Sequence, residues 1–61
     1  MGTSEMLQRS ITYEEAILRN YKQYVEQAGS TEAGDLFAQL IEEKTGQIER
    51  LRAVLKKYCK P

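Results

Sequence analysis

The 61-residue sequence predicts an all-α fold, an antiparallel hairpin of helices spanning about 4–28 and 31–59 that pairs with a second copy of itself into a four-helix bundle. Three observations carry this prediction. Apolar residues recur at alternating steps of four and three along both halves of the chain, which marks a helical seam rather than a strand. The single internal break in that pattern is Ala28-Gly29-Ser30-Thr31, so one short turn at 29–30 divides one domain covering 1–61. Finally, a chain below roughly 70–80 residues seldom builds a core worth more than about 3–5 kcal/mol without disulfides, a metal or a partner subunit, and one cysteine supplies no internal disulfide.

The first helix is expected to start near Ser4 as N-cap, because Leu7 already belongs to the apolar periodicity; Thr12-Tyr13-Glu14-Glu15 has the form of a capping box for a later start. Its seam runs Leu7, Ile11, Glu14, Leu18, Tyr21, Val25, Ala28. Gly29 suits a left-handed position just past the helix end, and Ser30 or Thr31 suits the N-cap of the next helix. Glu32 and Asp35 then lie near that helix's positive end. The second seam runs Phe37, Ile41, Lys44, Ile48, Leu51, Leu55, Tyr58, and passes Gly46 without losing phase, at a cost of about 1 kcal/mol relative to Ala. Lys56, Lys57 and Lys60 suit the negative end, and Pro61 cannot continue the helix.

Each helix carries more apolar surface than one partner helix covers. At about 100° per residue, Met6, Tyr13, Ile17 and Tyr24 flank the first seam, and Leu36, Leu40 and Val54 flank the second. A lone hairpin leaves these flanks wet, whereas two hairpins side by side bury them. Ile17, Tyr24, Leu36, Leu40 and Val54 are therefore the expected homodimer interface, with a higher oligomer or an unidentified protein partner as alternatives.

Glu14 and Lys44 interrupt the seams where apolar residues belong. Folding at Gly29-Ser30 brings them level, each about 22 Å along its helix from the turn. Two readings follow. The long side chains can turn outward and keep their charges in water; or they form a buried ion pair that fixes register at some cost in stability relative to apolar residues.

The composition excludes much chemistry. With no His and one Cys, the usual zinc sites, Cys-His nucleophiles and Ser-His-Asp triads cannot be assembled in one chain, and no catalytic residue is assigned. Nine basic and nine acidic side chains give zero formal net charge, so nucleic acid is not the expected partner. The opening residues lack the charge and apolar run of a signal peptide, and no stretch approaches membrane-spanning length. Cytoplasmic residence is expected, with Cys59 a reduced thiol, although near a chain end it is also placed to form an interchain disulfide under oxidising conditions. Glu42-Glu43-Lys44 and Glu49-Arg50 read as a solvated face, and the four Tyr residues as core and interface filling.

The stretch Ile11-Thr12-Tyr13-Glu14-Glu15-Ala16-Ile17 with Tyr21 and Tyr24, followed after a short turn by Asp35 through Leu51, resembles one half of a rubrerythrin-like member of the ferritin-like superfamily. The resemblance implies a four-helix bundle built from two helix pairs, here from two chains, around a di-iron carboxylate centre held by an inward Glu and an inward Glu-x-x-His. Glu14 matches the first-helix Glu, but the second motif falls on Lys44 and Gln47, and a shift by one residue offers Glu43 with Gly46. A protonated ammonium donates no lone pair and repels a cation, so Gln47 is a degenerate metal position and neither metal nor other cofactor is expected.

Three functions are compatible with these residues. The leading one is a non-catalytic ferritin-like helical module acting through self-association or protein contact. The second is a carboxylate-bound di-metal protein, using Glu14 and Glu43 from two chains, with ferroxidase or peroxide chemistry implied by the resemblance. The third is a small hairpin dimer that binds nucleic acid through basic residues of the second helix.

Overall fold

The structure, a computed structural model, describes residues 2–58. Cys59, Lys60 and Pro61, and the expectations placed on them, lie outside the described residues. Two helices, α1 (Thr3–Gln27) and α2 (Thr31–Tyr58), form an antiparallel hairpin, and there is no strand among the described residues. No helix of the described residues is long and apolar enough to cross a membrane.

α1 begins earlier than Ser4 marks. Gly2 is the N-cap, in extended conformation and without a side-chain cap, and its carbonyl accepts from the Met6 N–H at 3.0 Å. Ser4 thus lies inside the first turn, where Glu5 complements the helix dipole and pairs with Arg9. Each further helical residue adds a backbone bond, which here outweighs a side-chain cap worth about 1 kcal/mol. The possible later capping box is unused: Thr12 sits mid-helix and its hydroxyl donates to the Gln8 carbonyl.

The turn also departs from expectation. α1 is closed by Ala28 at φ −60°, ψ 129°, and no glycine among the described residues has positive φ. Because Ala28 itself swings into extended backbone, Gly29 has no need of the left-handed conformation. Ser30 is the N-cap of α2: its Oγ accepts from the Ala33 N–H at 3.2 Å and its carbonyl from the Gly34 N–H at 3.1 Å. Ser30→Ala is expected to cost about 1 kcal/mol in denaturant unfolding, since it leaves that N–H without its side-chain acceptor.

Both seams point inward as their spacing predicts, except at one end. From Leu7 to Ala28 and from Phe37 to Leu55 every seam residue is at least partly shielded, with Ile11 and Ile48 the only buried residues among those described. Tyr58 is 59% exposed. The register that sets Glu14 against Lys44 and Tyr21 against Phe37 carries Tyr58 past the level of Thr3, where α1 begins. α2, at 28 residues against 25, overhangs its partner.

The hairpin is a rod of 47 × 16 × 14 Å. Its radius of gyration is 14.2 Å, where a compact chain of this length would have about 10.5 Å. Its accessible surface, 4778 Å², exceeds the roughly 4000 Å² of a compact monomer of its mass. A single layer of seam side chains is all that one hairpin encloses.

The two faces of the rod differ. Met6, Tyr13, Ile17 and Tyr24 lie about 80–120° to one side of the α1 seam, and Leu36, Leu40 and Val54 about 60–100° to the same rotational side of the α2 seam. Antiparallel helices turn in opposite senses seen from one end, so equal rotation carries both sets to the same face. The other face holds Glu15, Arg19 and Lys22 with Glu49, Arg52 and Lys56. Gly46 points away from the seam, and a Cβ there meets nothing within 4 Å. Gly46→Ala is therefore expected to stabilise the protein by about 1 kcal/mol in the same unfolding experiment, with no change in molecular mass.

Candidate functional site

The polar layer within the seam is the one place where chemistry-bearing side chains converge across the two helices on the apolar face. Helical spacing puts Glu14 of α1 and Lys44 of α2 at the same level, and their charged ends meet: Lys44 Nζ stands 2.5 Å from Glu14 Oε2. Lys44 also donates to Gln47 Oε1 at 3.0 Å, one turn along its own helix. The Glu14 and Lys44 side chains are 25% and 18% exposed. The pair is thus formed, with neither side chain turned out to water alone, yet no charged residue of the described chain is buried. Burial is incomplete because the apolar face above the pair has no cover in a single hairpin.

A groove of about 520 Å³ opens on that face. Glu14, Lys44 and Gln47 line its end nearest the middle of the rod, and Leu7, Leu51 and Val54 line it toward the open end. Ser10 and Arg50 complete the lining. Toward the turn the same face is filled by bulk: the rings of Tyr21, Tyr24 and Phe37 stand with centroids 5.3–6.4 Å apart in tilted arrangements.

Of the expected interface residues, Tyr24 is 43%, Leu36 53% and Val54 40% exposed, while Ile17 and Leu40 are half-buried beside the seam. All five lie on the apolar face.

Within one chain, the described residues do not fit a di-metal centre. No group of three or more His, Cys, Asp or Glu converges among the described residues. The one inward carboxylate, Glu14, is engaged by an ammonium, which stands where a ligand would and already supplies the positive charge. Gln47, at the position the resemblance assigns to His, uses its amide oxygen as acceptor for Lys44. Glu43 is exposed and accepts from the Gln39 amide at 3.3 Å. A nucleic-acid surface fares no better: Lys56 and Lys57 are exposed at the end of α2, but the charged face alternates sign rather than presenting one.

One interhelical contact lies outside the sequence reading. Arg52 donates to Glu15 on the charged side, one helix edge away from the polar layer. Its sequence signal is weak, since Glu15 and Arg52 flank the seams on the polar side but Arg52 falls level with Met6, so the contact depends on the reach of the arginine side chain along the rod.

Fold and site together define a two-helix hairpin with one polar layer in its seam and one open apolar face. Comparison with protein-family models, curated proteins and solved structures finds no match to this chain.

Proposed function

We propose that the chain is a non-catalytic helical module that acts through self-association, two hairpins packing apolar face to apolar face into a ferritin-like four-helix bundle. One observation carries this: Met6, Tyr13, Tyr24, Leu36 and Val54 stand exposed on a single face of a rod in which Ile11 and Ile48 are the only buried residues among those described. Burying a large apolar side chain is worth about 1.5–3 kcal/mol. These five are 40–66% exposed, so covering them in both copies contributes on the order of 7–15 kcal/mol, set against the roughly 4–15 kcal/mol that association costs in lost freedom. The Glu14–Lys44 layer adds no net charge to such an interface, so its cover does not strand an unpaired ion. A cytoplasmic setting, in keeping with a lone cysteine, belongs to the same proposal.

Sedimentation equilibrium of the untagged chain, with and without a chelator, tests it. The expected mass is twice the 7.0 kDa of the chain in both conditions. A helical, cooperatively folded 7.0 kDa species at tens of micromolar would overturn self-association. A dimer that dissociates with chelator would overturn the non-catalytic reading in favour of carboxylate metal binding.

A further inference from the structure

The apolar face is not uniform along its length, and its two halves are unlike in shape. From Met6 to Tyr24 on α1, and from Leu36 to Val54 on α2, the midpoint of the exposed apolar residues falls beside Glu14 and Lys44. On the turn side of that midpoint, Tyr24 and Leu36 rise about 15 and 12 Å away along the rod. On the open side, the groove is lined by Leu7 and Leu51 at about 10 Å and Val54 at about 15 Å. Bulk and groove stand at matching distances on opposite sides of the polar layer.

Resting on the self-association proposed above, we infer that the second copy docks antiparallel, turn against open end, about a two-fold axis crossing the rod at the Glu14–Lys44 layer. Tyr24 and Leu36 of each copy then enter the groove of the other between Leu7, Leu51 and Val54. An isologous interface must map the surface onto itself, and this axis is the one that maps bulk onto groove. A parallel pair would instead set aromatic bulk on aromatic bulk and leave two grooves of about 520 Å³ facing each other, a void that close packing penalises.

The charges balance in this placement, as they would in a parallel one, so the choice between the two rests on bulk and groove. At the axis the two polar layers face one another, bringing two Glu14 and two Lys44 together with no net charge. Across this axis each helix lies over its own counterpart, so the Lys44 donor not taken by Glu14 and Gln47 reaches the second copy's Glu14 on the diagonal of the cluster. Covered in this way, the layer becomes a buried four-charge cluster that specifies register, the best-attested use of buried polar groups.

Two measurements test the inference. Gly29→Cys gives a label site at the turn, where an added Cβ meets nothing within 4 Å and φ is not positive. In a Cys59→Ser background, nitroxides there are expected on the order of 40 Å apart in the dimer, twice the turn-to-layer distance. A separation below about 25 Å would mean parallel packing and overturn the inference while leaving self-association intact. Secondly, Glu14→Lys chains are mixed with Lys44→Glu chains. Like charges cluster in either homodimer and balance in the mixed one, so heterodimer is expected in at least tenfold excess over each homodimer, against the roughly twofold excess of random pairing. A statistical mixture would show that the layers do not meet. Monomeric wild-type chain would overturn both proposals together.

Discussion

Glu14→Leu is expected to destabilise the assembled protein by roughly 3 kcal/mol per chain and Lys44→Leu by about as much, whereas the double variant should match or exceed the wild type. The asymmetry follows from desolvation. Each single change leaves a charge beneath the packed apolar face with no partner, and the double change removes both charges and adds apolar packing. Magnitude also reports the cover. In a lone hairpin the Lys44 and Glu14 side chains keep 18% and 25% of their exposure, so water would screen a stranded charge and losses should fall toward 1 kcal/mol. Glu15→Ala serves as the control, because the Glu15–Arg52 pair is more exposed and should cost no more than about 0.5 kcal/mol. Urea unfolding at one fixed chain concentration reads all four variants. Small single effects that simply add in the double would reject a covered layer.

The second large effect is expected at Leu36. Leu36→Glu sets a carboxylate on the apolar face once per chain, hence twice per dimer. Leu36 is 53% exposed in the hairpin, so losing the cover that association adds costs on the order of 0.8–1.5 kcal/mol at each site before any charge is desolvated. The dissociation constant should therefore rise by at least roughly one to two orders of magnitude. Helicity should fall with dilution at the same time, because Ile11 and Ile48 are the only buried residues of the described hairpin. Ala38→Glu adds the same charge two residues further along α2 but on the polar side of the seam, and should leave association unchanged. Equal weakening by both variants, read by sedimentation, would show that net charge rather than the face is responsible.

Much of this arrangement was legible in the residues because helix periodicity is a strong signal. Steps of four and three identified the seams, and counting back from Gly29-Ser30 set Glu14 opposite Lys44, where the structure pairs them. Ser30 was legible as a cap because its side chain has one local task, accepting from the Ala33 N–H. What escaped depends on geometry that spacing does not encode. Gly29 is open to left-handed backbone, but whether it must adopt it is decided by Ala28, which leaves the helix first. Tyr58 keeps the seam phase yet is exposed, because α1 has no residue level with it. The Glu15–Arg52 contact depends on how far the arginine side chain reaches along the rod, which spacing does not encode. The groove likewise follows from the sizes of Leu7, Ser10, Leu51 and Val54 against the rings near the turn, a contrast of volume rather than of pattern.

Thermal unfolding followed by circular dichroism over a hundredfold range of chain concentration tests most directly whether two chains make one core. If folding and association are one event, that range contributes about 2.7 kcal/mol through mass action, and the midpoint should rise by on the order of 10 °C. A midpoint independent of concentration, with full helicity at the lowest concentration, would mean that the single hairpin is the stable unit and contradict a shared core.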